Sequence, residues 1–103
     1  MKITLGELQK FIGSHNYESA YEVGQKYLFR CITFFYTGRV ARETPGELVL
    51  ADAAWIADTG RFYDSLQSGE FSEVEPFTSP VIIPKSTIVD ASVWKHELPT
   101  EQK

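Results

Sequence analysis

The feature that most constrains the fold is a run rich in β-favouring residues at positions 27 to 36, Tyr-Leu-Phe-Arg-Cys-Ile-Thr-Phe-Phe-Tyr. The run is apolar at odd and even positions alike, which is the pattern of a strand covered on both faces. A chain of 103 residues has room for one hydrophobic core. The sequence therefore predicts a single domain, residues 1 to 103, built around this central strand.

Turn signals after the run divide the chain into a meander of strands. Thr37-Gly38 permits a bulge, and Pro45-Gly46 occupies the central positions of a type II turn. A hairpin is therefore predicted on either side of Pro45-Gly46, and a sharp corner is predicted at Pro84. The predicted strands that follow the central run are residues 39 to 43, 47 to 56, 81 to 83 and 87 to 91.

Helices are predicted in two places outside these strands. Leu5, Leu8 and Ile12 have helical spacing, and a second, weaker helical pattern from Tyr17 ends near Gly24. Residues 1 to 25 are therefore predicted to be a helical N-terminal segment. A short helix is also predicted near residues 59 to 68, capped by Thr59 or Asp58, with Phe62 facing inward and Gly69 at its end.

These elements together predict an α+β fold. The strand pattern over residues 26 to 94 is that of a small, strongly bent antiparallel β-barrel of the SH3 or Sm-like type, with one inserted short helix. The remaining residues, 95 to 103, form a tail that is expected to dock through Trp94 and Leu98 and then to fray.

Charge and composition exclude several classes of protein. The 10 basic and 14 acidic residues give a net charge of −4, so extended nucleic acid is not expected as a partner. The single cysteine, Cys31, lies in an apolar run and is predicted to be a small buried hydrophobe in a reducing cytoplasm. No stretch approaches the roughly 18 apolar residues that span a bilayer, so no membrane association is expected.

Catalytic and metal-binding patterns are absent from the sequence. His15 and His96 are far apart, neither has a partner at metal-ligand spacing, and one cysteine cannot build a zinc site. No nucleophile elbow, phosphate loop or dinucleotide fingerprint appears. The sequence therefore predicts a protein with no catalytic residues, no metal site and no cofactor.

Residues 54 to 62 form the strongest candidate binding site, because an apolar strand there runs into a helix start. The candidate ligand-binding residues of this block are Trp55, Gly60, Arg61 and Phe62. A stacking ring, a cation and a helix N-terminus together suit a nucleotide-like ligand. The alternative interpretation places both aromatic rings in the core and pairs Arg61 with Asp58.

Arg30 and Arg39 are the other candidate cations. Arg30 interrupts the apolar run, and a buried arginine needs a partner. One interpretation is an internal ion pair of Arg30; the other is that Arg30 and Arg39 face a pocket and hold a phosphate. The sequence leaves both open. The candidate ion-pair partners of Arg30 are Asp52, Asp58 and Asp90.

Trp94 and His96 complete the set of candidate ligand-binding residues. Their place near the end of the chain predicts one of three roles: closing the ligand site, packing against a second subunit, or docking the tail onto the domain. Of these roles, tail docking is favoured.

Several strings of this chain resemble small proteins encoded by bacteriophages and prophages. The resemblance covers roughly residues 26 to 103, and it implies a phage origin without implying a chemistry. The strings that carry it include Tyr36-Thr37-Gly38-Arg39, the block from Ala54 to Phe62, Glu73-Val74-Glu75-Pro76-Phe77 and Trp94-x-His96.

The resemblance, by analogy with phage proteins that block host defence, predicts a non-enzymatic cytoplasmic binding protein. In this interpretation a homo-oligomer sequesters a small cyclic nucleotide of bacterial immunity, which needs aimed arginines and a stacking ring but no basic surface. One alternative is a protein-interaction module, either an inhibitor of a host enzyme or a small component of the phage particle. The other is an Sm-like binder of single-stranded nucleic acid.

Overall fold

The computed structural model describes residues 18 to 103. The helix predicted over residues 5 to 12 lies outside the described residues. The elements in chain order are β1 (Lys26–Cys31), β2 (Phe35–Glu43), β3 (Glu47–Asp58), α1 (Phe62–Ser68), β4 (Glu73–Pro76), β5 (Val81–Pro84), a 3₁₀ turn (Lys85–Thr87) and β6 (Ile88–Val93).

All six strands belong to one antiparallel sheet with the order β4-β3-β2-β1-β6. β5 pairs with the first part of β3, and β4 pairs with its last part. The α+β class is confirmed, with strands dominating and α1 as the helix of the described residues. The sheet is open, because within residues 18 to 103 β6 pairs with β1 alone.

The central run does not form the single strand that its sequence predicts. It folds back between β1 and β2, where the Cys31 N–H donates to the Phe34 carbonyl at 2.8 Å. Ile32 is 74 % exposed at the tip of this turn, and its N–H donates to the Thr87 carbonyl at 2.9 Å. Folding back pairs β1 with β2 over residues 26 to 30, and the added cross-strand bonds and packing outweigh the exposure of one isoleucine.

The prediction that the central strand is covered on both faces is confirmed for β1. Tyr27, Phe29 and Cys31 point into one core cluster, and Leu28 points into the other. The first core cluster consists of Tyr27, Phe29, Cys31, Val40, Leu48, Leu50, Ala53 and Ile83. The second core cluster consists of Leu28, Ala54, Ile56, Phe71, Val74 and Trp94.

The C-terminal tail covers the second core cluster. The Trp94 ring is 2 % exposed and lies parallel to Phe71, with a centroid separation of 5.1 Å. Leu98 packs against the same cluster, so the predicted docking of the tail is confirmed. The predicted fraying is wrong, because the Lys103 N–H and carbonyl both pair with the backbone of Val74, at 3.0 and 2.9 Å.

The segment before β1 is not helical over residues 18 to 25, so the helix predicted to end near Gly24 is wrong for these residues. Gly24 has a φ of 92°, and its N–H donates to the Val40 carbonyl at 2.7 Å. Tyr21 packs edge-on against Tyr27, with their ring centroids 5.6 Å apart, and it also contacts Phe29. Packing of this aromatic ring onto the first core cluster therefore favours an irregular path over the weak helical pattern.

The bend predicted at Gly38 and the hairpin predicted around Pro45-Gly46 both form, but the hairpin uses a different type of turn. At Gly38 the sheet does bend, and the extra residue belongs to the partner strand, where Asp52 has a φ of 51°. The hairpin after β2 is also confirmed, closed by the Thr44 N–H donating to the Glu47 carbonyl at 3.0 Å. The type II turn is wrong, because Gly46 is not among the residues with positive φ, which such a turn requires.

Thr37 provides a test of the packing between the sheet and the second core cluster. Its side chain is fully buried between Leu28 and Ala54, and its hydroxyl has no hydrogen-bond partner in the described part of the chain. We expect Thr37→Val to raise the free energy of unfolding by about 1 kcal/mol, because it removes an unsatisfied buried hydroxyl at constant shape. Urea unfolding followed by circular dichroism measures the change.

Thr87→Val is the matched control for this substitution. The Thr87 hydroxyl donates to the Pro84 carbonyl at 2.8 Å, so the same change of side chain removes a real hydrogen bond there. We expect a small loss of stability in the control. A destabilised Thr37→Val protein would show that the Thr37 hydroxyl has a partner after all.

Candidate functional site

The junction between β3 and α1 is built as the sequence suggests, with different boundaries. Asp58 Oδ1 accepts the Gly60 N–H at 2.8 Å, and Gly60 has a φ of 69°. The predicted cap residues therefore form the turn, and the helix begins at Phe62 with Arg61 in the N-cap position. Gly69, with a φ of 75°, ends the helix as predicted.

A cavity of about 420 Å³ opens beside this junction. Gly60 and Arg61 line it, so two of the predicted ligand-binding residues are brought together. Two cations and two acids border it, and Lys103 Nζ already contacts Glu70 at 3.0 Å. The full lining is Thr59, Gly60, Arg61, Asp64, Ser65, Ser68, Glu70, Phe71, Ser72 and Lys103.

Arg30 is paired, but it is not buried. Its guanidinium binds the Asp90 carboxylate through Nε, at 3.1 and 3.2 Å, and through Nη2. This confirms one of the three candidate partners, and the hydrogen bonds and charge of Asp90 raise the pKa of Arg30. Both side chains are about half exposed, so the predicted internal position is wrong: β6 is an outer strand and leaves the pair at the surface.

Arg39 lies at the other end of the same face of the sheet. Arg30 stands opposite Phe35, and Arg39 follows Phe35 by four residues on β2. Four residues of strand place the two arginines about 13 Å apart. Arg39 Nη1 donates to the Gly24 carbonyl at 3.0 Å. The two arginines therefore do not converge on one phosphate.

Trp55 and Phe62 lie on opposite faces of the sheet. The ring centroids of Phe62 and Phe35 are 5.8 Å apart, and Phe35 stands opposite Ile56 of the second core cluster. Trp55 is the neighbour of Ile56 on β3 and therefore points the other way. The two rings cannot sandwich one base, although they are only seven positions apart in the sequence.

Trp94 and His96 have structural positions. The Trp94 indole N–H donates to the Glu97 carbonyl at 3.1 Å, inside the tail. His96 Nε2 lies 2.8 Å from the Leu66 carbonyl near the end of α1, and its ring meets Trp94 edge-on at 4.9 Å. His96 holds the tail against α1 and Trp94 anchors it in the second core cluster, so the sequence prediction that brings them to a ligand has no geometric support.

A surface that sequence reasoning missed lies on the face that carries Trp55. We call it the aromatic face, and it consists of Phe34, Tyr36, Trp55 and Phe77. Trp55 stands opposite Tyr36 in the register of β2 and β3. Phe34 meets Trp55 edge-on with a ring-centroid separation of 5.2 Å, and Tyr36 stacks on Phe77 with a ring-centroid separation of 6.1 Å. Phe34 is 43 % exposed and Phe77 is 39 % exposed.

A cavity of about 300 Å³ adjoins the aromatic face. Its lining contains Phe34 and Tyr36 together with apolar residues of β5, and no charged side chain. Cys31 also lines it; burial raises the pKa of the Cys31 thiol, which keeps the thiol protonated at neutral pH. The full lining is Cys31, Ile32, Thr33, Phe34, Tyr36, Ile82, Ile83, Pro84 and Thr87.

One sequence signal could have revealed this surface. Phe34, Phe35 and Tyr36 are consecutive, and successive side chains of a strand alternate between its faces. Phe35 packs on the second core cluster, so its strand neighbour Tyr36 occupies the opposite face, and Phe34 joins that face through its contact with Trp55.

Residues 18 to 103 contain no group of three or more His, Cys, Asp or Glu side chains arranged to hold a metal ion. Over the same residues, no helix has both the length and the apolar character needed to cross a membrane. Comparison of the chain with protein-family models, with curated proteins and with solved structures finds no match. The functional interpretation therefore depends on the geometry of the described surfaces.

Proposed function

We propose that this chain is a non-enzymatic protein-interaction module that binds a partner protein through its aromatic face. The observation that carries the proposal is the grouping of four aromatic side chains beside an uncharged cavity, with Phe34 and Phe77 substantially exposed. Aromatic residues dominate the energetics of protein interfaces, because they bury a large area at little cost in side-chain entropy.

The contacts within the aromatic face support binding of a shaped apolar segment. Phe34 and Trp55 are perpendicular to each other, and Tyr36 and Phe77 are stacked, so the rings hold one another in fixed orientations. A preorganised surface loses little conformational entropy when a partner binds. The neighbouring cavity, bordered by Ile82 and Pro84, is large enough for one or two aliphatic side chains of that partner.

Charge indicates the kind of partner. The charged residue nearest to Trp55 in the strand register is Glu75, which stands directly opposite it on β4. Asp52 lines a smaller cavity, about 200 Å³, which Phe77 also borders. With a net charge of −4 as well, the protein fits an apolar segment flanked by lysine or arginine better than a phosphate-bearing ligand.

The proposal also covers the type of fold, an SH3 or Sm-like barrel, and the phage origin of the chain. The bent antiparallel meander, its bulges and the 3₁₀ corner between β5 and β6 support an SH3 or Sm-like barrel with an unpaired seam. The strings at residues 36 to 39 and 54 to 62 support a phage origin. In that setting the partner is a host enzyme or a phage particle protein in the cytoplasm of the infected cell.

Affinity purification from host lysate with Phe34→Ser and wild type tests this function. We expect a specific protein to bind the wild type and to bind Phe34→Ser at least about 30-fold more weakly, the effect of losing 2 kcal/mol at an interface hot spot. Phe34 lies in a turn and is partly exposed, so the variant retains the core.

Tyr63→Ser is the matched control, because Tyr63 is an exposed aromatic residue on α1, outside the aromatic face. It should bind the partner as the wild type does. Equal binding by Phe34→Ser and wild type would refute the role of the aromatic face. A deletion of residues 94 to 103 would not serve as a binding test, because it removes Trp94 from the second core cluster and so disturbs the fold.

Sequestration of a small nucleotide is the second candidate function, and one observation favours it. The Arg61 guanidinium makes no hydrogen bond within residues 18 to 103, and it borders the 420 Å³ cavity at the β3–α1 junction. The acids Asp64 and Glu70 on the same cavity oppose a phosphate there. Phe62, next to Arg61, is the ring available to a base, because Trp55 lies on the other face.

Thermal unfolding with a panel of cyclic nucleotides separates the two functions. A nucleotide at about 100 times its Kd would stabilise the protein by about 2.7 kcal/mol and raise its Tm, and Arg61→Ala would abolish the rise. No rise with any nucleotide, together with Phe34-dependent protein binding, would leave the interaction module as the function.

A further inference from the structure

The outer strands of the sheet differ in how their free edges are protected. The edge of β4 is covered by the tail, through the two backbone hydrogen bonds between Val74 and Lys103. β5 is short and is bounded by Pro80 and Pro84, and proline cannot donate to an added strand. Both strands on this side of the sheet are therefore closed to further pairing.

Within residues 18 to 103, β6 has neither a covering segment nor a proline on its outer edge, and its pairing with β1 shifts register at Val89. It is six residues long and contains no proline and no lysine. Its backbone hydrogen bonds to other described residues all run to the β1 side. Val89 is 59 % exposed and Val93 is 52 % exposed, so two β-branched apolar side chains flank this open edge. An exposed edge with such side chains is a template for another strand.

The one charge on β6 does not block an added strand. Asp90 is held by Arg30, so its negative charge is already neutralised on the inner side of the strand. A second strand at this edge therefore meets a paired carboxylate, and the usual repulsion between edge charges is removed.

We propose that two copies of this chain pair antiparallel through β6, about a two-fold axis at Ala91. In this register Val89 of one copy faces Val93 of the other, Asp90 faces Ser92, and Ala91 faces its own counterpart. The sequence Val-Asp-Ala-Ser-Val is thus complementary to itself, as a two-fold interface requires. The valine pairs are of the β-branched kind that stabilises neighbouring strands.

The same observations favour a dimer over a ring. A ring would need β6 of one copy to pair with a different edge of the next copy. The edges of β4 and β5 are closed by Lys103 and by the two prolines, so β6 has only itself as a pairing partner among the described strands. A β6 dimer also leaves the aromatic face free, because that face belongs to the turn between β1 and β2, to β2, to β3 and to the segment after β4.

Sedimentation velocity over protein concentrations from about 1 to 200 µM tests the proposal. The wild type is expected to reach twice the monomer mass, and Val93→Lys to remain monomeric over the whole range, because the lysine charge lies at the paired edge. Val23→Lys is the matched control: Val23 is as exposed as the β6 valines but lies outside the sheet, so this variant should dimerise normally.

Disulfide trapping then tests the register. Val89→Cys and Val93→Cys proteins, mixed and oxidised, should form a disulfide between the two variants, since facing residues of paired strands lie within disulfide range. Each variant alone should not cross-link, because like positions are four residues apart in this register. A wild type that is monomeric at every concentration, a Val93→Lys dimer, or cross-linking of one variant with itself would overturn the proposal.

Discussion

Trp94→Ala is expected to lower the free energy of unfolding by about 4 kcal/mol, the cost typical of removing a large buried aromatic side chain. Trp94 is 2 % exposed, stacks on Phe71 and connects the tail to the second core cluster. A loss of this size is a large fraction of the stability of a small domain. Urea unfolding followed by circular dichroism gives the value.

Tyr63→Ala is the control for Trp94→Ala. Tyr63 is an exposed aromatic side chain on α1, and its truncation should change stability by no more than about 0.5 kcal/mol. If Trp94→Ala also cost less than 1 kcal/mol, the ring would not be part of the core, and its predicted role at a ligand site would have to be reconsidered.

Gly69→Ala is expected to cost about 2 to 3 kcal/mol, because two separate effects act at one position. Gly69 has a φ of 75°, a conformation that L-residues adopt at a cost. A methyl group there would also lie 2.6 Å from His96 Cγ and 2.8 Å from His96 Cβ. The ring is held by Leu66 and Trp94, so it has little freedom to move away.

A double-variant cycle separates the two effects. In a His96→Ala background the steric conflict disappears, and Gly69→Ala should then cost only the backbone term of about 1 kcal/mol. Gly46→Ala is the control, since a methyl group there meets no atom within 4 Å and φ is not positive. Equal costs of Gly69→Ala in both backgrounds would contradict the contact with His96.

The parts of the fold that the sequence predicts are those with local signals. The hairpin around Pro45, the corner at Pro84 and the end of the helix at Gly69 all depend on turn chemistry within a few residues. The turn at Ile32 has no glycine, proline or asparagine, and it is fixed by the bond from Ile32 to Thr87, 55 positions away. Such a distant contact leaves no trace in the local pattern.

β4 escaped sequence analysis for a similar reason. Val74 is the one strongly apolar residue of the strand, between Glu73 and Glu75. The strand exists because β3 lies on one side of it and Lys103 pairs with Val74 on the other. Neither neighbour is close to it in sequence.

The candidate site illustrates the same limit. The sequence identified Gly60 and Arg61 as neighbours at a strand-to-helix turn, and they do border one cavity. The sequence offers three possible partners for Arg30, and the register of β1 against β6 places Asp90 directly opposite it. Nearness in sequence also suggested that Trp55 and Phe62 act together. The alternation of side chains along β3 separates them, and it creates the aromatic face instead.

The burial of β1 on both faces has a kinetic consequence. β1 pairs with β6 across about 60 residues of chain, as the Arg30–Asp90 separation shows, and Leu28 is covered by Trp94, still further along. The most buried strand is therefore not covered on both faces until β6 and the tail have packed against it. Folding limited by such distant contacts is slow, typically milliseconds to seconds, and during that interval self-association competes with productive collapse.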